Sequence, residues 1–469
     1  MKRRLRVYKK TVSIVNETSI GMYESLVGNK KGFLLESYDK NYDRYSFFGS
    51  EPEEIISSKG NSLVITRLDG SKEVREGNPL ELLKEYYSEF DIVKDNDGIS
   101  FSGGLVGSLG YDFVRYTEKL PDDNPDEIGI ETVQMMLMTK FIMVDHVAET
   151  LSAIVLGEDT EEGKAKSLEE ASELIKIVRE EYKAATKNYK HDGIIVNKSD
   201  SLEQYSKKVN KIKEYIKEGH IFQTVLSQRW TIQTEQKGFE LYKNLREINP
   251  SPYLYYFNFG DFEIIGSSPE MVVKQQGARV YTCPIAGTRP RGANQEEDAL
   301  LKNDLLSDEK EKSEHVMLVD LARNDMGRIA EIGTVKVTEF MEVHNYSHVM
   351  HIVSKVEGKK KDDNHPLDLV SSFLPAGTLS GAPKFRAMEI IDELETVRRG
   401  MYGGATGYID FSGDMDFCIT IRTMIKKGNK VYLQAGAGIV ADSVPENEYK
   451  ECCNKVMALA KTLVEEENL

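Results

Sequence analysis

Glutamates recur at a three-residue spacing twice in this chain: Glu311 and Glu314 in EKSEHVMLVD (311–320), and Glu448 and Glu451 in SVPENEYKECCNK (443–455). On a helix, residues three apart share a face with Cβ atoms roughly 5–6 Å apart, and like charges that close repel. A cation between them reverses the sign of that interaction. Ligation by carboxylates alone suits a hard ion, and an octahedral Mg²⁺ that keeps several waters and takes an anionic substrate group is the natural guest. Each pair also has a plain structural role open to it. Asp308-Glu309-Lys310-Glu311 fits a D-x-x-E helix start, with Asp308 as N-cap and Glu311 reaching back to it. Glu451 and Lys455 form an ordinary i, i+4 ion pair worth a few tenths of a kcal/mol. Two pairs on two well-marked helices point to a metal more strongly than either alone. The second helix start carries Ser443 as N-cap, Pro445 in the first turn and Glu446 closing an S-x-x-E box.

Two backbone-rich loops lie between the pairs. PAGTLSGAPKFRAMEI (375–390) sets small residues ahead of Pro383 at an expected helix N1 position, where free N–H groups and the helix dipole suit an anion. QAGAGIVADS (434–443) places Gly436 and Gly438 at the end of a strand, where a missing side chain lets a ligand approach the backbone. Tight turning is the alternative for both. Arg422, in DFCITIRTMI, reads as a cation within an apolar strand, costly to bury unpaired and best matched by a bidentate carboxylate.

These residues need a large scaffold. The 469 residues allow about three ordinary units or one composite domain. With 40% hydrophobic and 29% charged residues the chain is an ordinary globular one, and its net charge of -16 argues against nucleic acid or an anionic membrane as partner. The basic start MKRRLRVYKK lacks a following apolar region, so no signal peptide is expected, and no apolar run reaches membrane-spanning length. Four cysteines (Cys283, Cys418, Cys452, Cys453) without C-x-x-C spacing suggest reduced thiols in the cytoplasm. Residues 1–160 mix strand-like stretches with turns and the Gly-rich GGLVGSLGYD (103–112), which lacks dinucleotide-binding spacing. Residues 161–200 form a polar linker with a helix capped by Ser167, and 201–469 carry the chemistry. A second helix starts at Ser201-x-x-Gln204, and IFQTVLSQRW, YLYYFNF and FEIIGSS read as strands. Helices and strands alternate only in part, which favours α+β.

PIAGTRPRG (284–292), DEKEKSEHVMLVDLARND (308–325), PAGTLSGAPK (375–384), YGGATGYI (402–409), GDMDFCITIRT (413–423) and AGAGIVADSVPENEYKE (435–451) together resemble the chorismate-utilising enzymes, most closely the component I subfamily of anthranilate synthases. LLES (34–37) and NPSPYLYY (249–256) extend the likeness over most of the chain. The resemblance implies two packed antiparallel β-sheets in a composite sandwich with helices outside. It implies conversion of chorismate and ammonia to anthranilate and pyruvate, the first committed step of tryptophan biosynthesis.

By the same resemblance, Glu314 and Glu451 hold Mg²⁺ and Glu311 and Glu448 complete its shell. Tyr402, Arg422, Gly436, Gly438 and Lys455 bind substrate, with Arg422, Tyr402 and the two glycines at the enolpyruvyl carboxylate. Glu270 matches the general acid for the departing 4-hydroxyl, and His351 and Thr378 match residues of the later, pyruvate-releasing step. Without the family, Glu270 reads as a helix-start carboxylate after Pro269 and His351 as a core histidine. Gln223 stands where isochorismate and salicylate synthases place a water-activating lysine, and Ala286 where aminodeoxychorismate synthases commonly place a lysine nucleophile. Ser37, Asn249, Pro250, Ser251, Pro252 and Tyr253 resemble the family's tryptophan feedback site. No glutaminase nucleophile is recognisable, so ammonia is expected from a separate glutamine amidotransferase subunit. The alternatives are an aminodeoxychorismate synthase component and a catalytically idle chorismate- or amino-acid-binding regulatory protein.

Overall fold

The computed structural model describes residues 2–15, 17–37, 44–94, 99, 101–180, 182, 190–345, 349–465 and 467. Within them the strands form one 13-stranded and one 12-stranded sheet, almost wholly antiparallel; Arg3–Ser13 with Phe90–Val93 is a parallel pair. Period-2 alternation sorts each strand between two cores. Phe33, Phe141, Phe257 and Ile425 of the larger sheet meet Val106, Met136, Tyr408 and Cys418 of the smaller one in the sandwich interior. Their neighbours Leu34, Ile142, Tyr256 and Met424 face outward, under Tyr23, Ile175, Tyr242 and Val456 of the covering helices. On the far side, Leu105, Leu137 and Phe417 face Val319, Met326 and Leu369. The expected α+β sandwich with external helices is therefore the fold.

Both sheets mix early and late segments of the chain. Gly32–Glu36 pairs with Tyr253–Asn258 in the larger sheet, and Gly104–Leu109 pairs with Ala405–Asp410 in the smaller one. The Gly-rich stretch 103–112 serves this second seam: a Cβ on Gly104 would lie 2.2 Å from the Ile409 carbonyl, so close strand approach accounts for the glycine.

Local signals held where no other partner competed. Ser201 and Gln204 close a reciprocal capping box on helix Leu202–Lys217, and Asp308 accepts from the Lys310 and Glu311 N–H groups to start helix Glu309–Ile329. Glu311 does not reach back to Asp308 as expected, because Arg289 draws on its carboxylate at 3.4 Å. Two other caps differ from expectation. Helix Glu161–Glu180 begins six residues before Ser167, with the Thr160 hydroxyl accepting from the Gly163 N–H, and Ser167 is buried against Gly157. Helix Pro445–Ala460 starts after Val444; Ser443 instead accepts from the Val440 N–H at 3.0 Å, closing the turn out of the preceding strand. Pro383 likewise precedes helix Lys384–Leu394 as its N-cap rather than standing at N1.

Candidate active site

The chain crosses from one sheet to the other at two adjacent places, and each crossing delivers a charged residue. Phe262–Ser268 lies in the larger sheet and Met271–Gln276 in the smaller, with Glu270 between them. Met415–Ile419 lies in the smaller sheet and Thr423–Lys427 in the larger, with Arg422 between them. The crossings are bonded together, since the Ile419 N–H donates to the Glu270 carbonyl (2.9 Å) and the Ser267 N–H to the Arg422 carbonyl (3.1 Å). This corrects two sequence readings. DFCITIRTMI is not one strand, because the change of sheet breaks it and leaves Arg422 at φ 50°; and Pro269 starts no helix.

Glu270 accepts from the Thr378 hydroxyl at 2.9 Å. Burial pushes its carboxyl up to about 7, with the Thr378 hydrogen bond and Lys455 pulling the other way. A narrow cavity runs from Glu270 and Thr378 along Leu318, Leu321 and Ala322 of helix Glu309–Ile329 to Asp325. Arg422 finds no carboxylate within ion-pair distance among the described residues; its Nη1 donates to the Lys455 carbonyl at 3.3 Å, and burial lowers its pKa. A guanidinium so placed is a ready partner for an incoming carboxylate.

Strands Gln223–Gln233 and Lys430–Ile439 pair so that Ser227 faces Gly436 and Val225 faces Gly438. Both glycines are places where a side chain does not fit. A Cβ at 436 would sit 2.8 Å from Val225 Cγ1 and 3.0 Å from the Tyr402 hydroxyl, and one at 438 would sit 2.5 Å from Gln223 Nε2. Gln223 Nε2 donates to Glu314 at 3.4 Å, while its Oε1 is buried with no protein partner among the described residues. Lys455 Nζ bridges the Gly436 carbonyl (3.0 Å) and Glu451 (2.7 Å).

The four glutamates face one another across two helices. The Glu314 carboxyl is raised by burial and then by Glu311 and Glu451, with Lys310 opposing; Glu448 is raised by burial and by Glu451, with Ser443, Lys310 and Lys455 opposing. Their oxygens do not converge on one point. Among the described residues, the trio of candidate ligands that closes within 4.8 Å is Glu339, Glu342 and His344, on strand Lys336–Asn345.

His351 Nδ1 lies 2.9 Å from the Gly287 carbonyl and 3.1 Å from the Thr288 hydroxyl. A carbonyl only accepts, so Nδ1 carries the proton and Nε2 is the basic nitrogen. Burial, with Arg422 nearby, lowers the ring's pKa, so it is neutral at pH 7. Sequence reasoning missed Arg289, although it lies in PIAGTRPRG. Its guanidinium meets Asp304 (2.6 Å), Asp308 (3.0 Å) and Glu311 (3.4 Å), tying the first glutamate helix to strand Ile285–Pro290. Ala286, on that strand, pairs with Ile352 beside His351.

Behind the Glu270 crossing, between the sheets, lies a cavity of about 150 Å³ lined by Ser37, Pro252, Tyr253, Pro269, Met271 and Lys274, among others. Tyr253 donates to Asp416 at 2.9 Å and Lys274 pairs with the same carboxylate at 2.6 Å. The Ser37 and Ser251 hydroxyls are buried without a protein partner among the described residues. Asn249, Pro250 and Ser251 do not line this cavity; Asn249 ends helix Gly238–Ile248 and donates to Ser267 at 3.1 Å.

A buried acid, a desolvated arginine and two carboxylate pairs around a glycine-edged strand end define an enzyme site for a small anionic substrate. The chain matches the family described as chorismate binding enzyme over residues 31–461 and belongs to it. It is 46% identical over 461 residues to anthranilate synthase component 1 of Acetivibrio thermocellus, covering 96% of this chain and 93% of that one. It is 41% identical to the Thermus thermophilus protein of the same name, covering 98% of each. The crystal structure of anthranilate synthase component I from Streptococcus pneumoniae superposes with a TM-score of 0.77 at 38% identity, covering 89% of this chain and 92% of that one. The menaquinone-specific isochorismate synthase of Escherichia coli shares the fold at 17% identity, with a TM-score of 0.73. Among the described residues no helix is long and apolar enough to cross a membrane.

Proposed function

We propose that this chain converts chorismate and ammonia to anthranilate and pyruvate, with Mg²⁺ held by Glu311, Glu314, Glu448 and Glu451. The observation that carries the reading is the pair of sheet crossings, bonded to each other through their backbones, one carrying a raised-pKa carboxyl and the other a buried guanidinium with no carboxylate partner among the described residues. The carboxylates fit the metal: two pairs repel across a cleft edge, and a Mg²⁺ that retains waters does not require all four oxygens to converge. When bound, the ion supplies positive charge for the ring carboxylate.

Arg422, Tyr402 and the backbone of Gly436 and Gly438 then hold the enolpyruvyl carboxylate. Ammonia bonds to C2, the two ring double bonds each move one position, and the C4–O bond breaks as Glu270 delivers its proton, so that water leaves. The Gln223 Oε1, buried without a protein partner among the described residues, accepts an ammonia N–H and orients the lone pair. An amide is no base, which disfavours attack by water. His351 Nε2 takes the proton that C2 loses, the C2–C3 double bond forms as the C3–O bond breaks, and the departing enolate takes a proton at its methylene carbon to become pyruvate. Ala286 offers no amine to form a covalent adduct, so the nitrogen stays ortho to the ring carboxylate. The thiols of all four cysteines are free, which suits a cytoplasmic enzyme.

Incubation of the purified chain with chorismate, Mg²⁺ and ammonium is expected to give ortho-aminobenzoate, with no protein-bound adduct by intact mass. Glutamine alone is expected to give no product, because a separate amidotransferase subunit supplies ammonia. A main product of 4-amino-4-deoxychorismate overturns the assignment of reaction while leaving the substrate in place.

The inter-sheet cavity is the proposed tryptophan site, with residues 1–160 supplying Ser37 and the later chain Pro252 and Tyr253. Pro269 and Met271 in its wall bracket Glu270, so an occupant bears directly on the acid's crossing. Tryptophan is expected to oppose chorismate binding, and chorismate tryptophan binding, by the same coupling of about 1–3 kcal/mol. Calorimetry that finds no tryptophan binding with or without chorismate removes this site.

A further inference from the structure

Arg399 and Glu395 sit four residues apart after helix Lys384–Leu394, a spacing usually met on helix surfaces, yet they are 3% and 6% exposed. The pairing is bidentate, with Nε 2.9 Å from Oε2 and Nη2 2.7 Å from Oε1. Apart from the Tyr111 ring, whose centre lies 4.7 Å from the guanidinium, the remaining contacts go to segments that supply a site residue. Nη1 donates to the Leu379 carbonyl (2.6 Å), one residue after Thr378, and Nη2 to the Val225 carbonyl (2.9 Å), opposite Gly438. Glu395 Oε1 accepts from the Ser227 N–H (2.9 Å) and hydroxyl (2.7 Å), and Ser227 faces Gly436. The guanidinium also lies 5.6 Å from the centre of the Tyr402 ring, and the Tyr402 N–H donates to the Arg399 carbonyl at 3.3 Å. Burying such a pair roughly breaks even against apolar residues of similar volume, so stability alone gives little reason to keep it.

We propose that Arg399 and Glu395 are positioning residues that fix the spacing between the Thr378–Glu270 acid and the Tyr402, Gly436 and Gly438 side of the cleft. The assignment rests on the functional reading above. It differs from a core-stability role in where it acts, because the pair joins three segments that contribute to the site and holds each by a backbone atom. Lysine at position 399 keeps the charge but loses the planar fork that reaches both carbonyls.

The test uses Arg399→Lys and Ser227→Ala, each compared with the wild-type chain in chorismate and ammonium turnover and in amide hydrogen exchange. Arg399→Lys is expected to lower kcat/KM for chorismate by at least roughly 30-fold, most of it in kcat, since displacement on the order of 1 Å costs about 10²-fold. The dependence on ammonium concentration stays unchanged. Amides of 375–383 and 433–440 are expected to lose protection together in both variants, with the rest of the chain as in wild type. Values of kcat and KM within twofold of wild type in a folded Arg399→Lys, or a uniform rise in exchange over the whole chain, overturn the proposal. Should Arg399→Lys fail to fold, Ser227→Ala decides by exchange in 375–383, because the Ser227 hydroxyl also accepts from Gln434 Nε2 at 2.8 Å and so touches 433–440 directly. A wild-type chain that turns nothing over refutes the functional reading instead, and exchange in the two segments still decides whether the pair holds them.

Discussion

Glu270→Gln is expected to lower kcat by roughly 10²–10⁴-fold, the range for loss of a positioned general acid, while chorismate still binds. The amide preserves the shape and can accept the Thr378 hydrogen bond, but it has no proton to give the leaving oxygen. The same variant carries a stability signature. A carboxyl whose folded pKa is raised, here to about 7, contributes its stability while protonated and loses that contribution as pH rises through the folded value. Above pH 7 the wild type therefore carries a charge in a place that disfavours it, and the glutamine variant does not. The variant's relative stability should be flat below about pH 4.5, climb between pH 4.5 and 7, and level off at no more than about 3 kcal/mol. Urea unfolding at pH 4, 6 and 8 measures it. In turnover at constant free ammonia, wild-type rate should fall above about pH 7 as the acid is lost. Activity within tenfold of wild type for the variant, or a stability gap the same at pH 4 and pH 8, would remove Glu270 from this role.

The second large effect is metal dependence. Excess chelator is expected to abolish turnover, with recovery on added Mg²⁺. A readout independent of activity comes from stability, because an ion that binds the folded chain at 100 times its Kd stabilises it by about 2.7 kcal/mol. Wild type should gain on that order from saturating Mg²⁺, and Glu451→Gln much less. Removing one carboxylate also relieves the repulsion that raises Glu314 and Glu448. The variant should thus match or exceed wild type in chelator and fall behind in Mg²⁺. A variant that gains as much from Mg²⁺ as wild type would place the ion elsewhere.

How much of this was legible in the sequence depends on the reach of each interaction. The capping box at Ser201 and Gln204 and the cap at Asp308 rest on partners within three residues; the first formed as read, and the second formed in its Asp308 half alone. Ser443 and Ser167 carry the same local pattern, but a turn N–H three residues back claims the first and a close helix–strand contact ten residues away claims the second. Glu270 was named only through family resemblance, whereas Arg422 stood out as a cation in an apolar run. An apolar, β-branched run such as DFCITIRTMI gives no sign of where the chain leaves one sheet for the other. Arg289 and Arg399 were missed because their partners come from other elements, and Glu395-x-x-x-Arg399 looks like any surface i, i+4 pair. Asn249, read with the effector residues, is instead bound to Ser267. The glutamate pairs were legible because helix period alone puts them on one face.

The two seams between early and late strands carry a consequence for synthesis on the ribosome. Strand Gly104–Leu109 has Val133–Met138 on one side as soon as that segment emerges, but its other edge waits for Ala405–Asp410, roughly 300 residues later. At translation rates of about 5–20 residues per second, that edge stays open for about 15–60 s. Gly32–Glu36 waits similarly, for Tyr253–Asn258. Each nascent chain thus displays two apolar strand edges, templates for pairing with a neighbour on the same message, one until just past the middle of the protein has been made and the other until Ala405–Asp410 emerges.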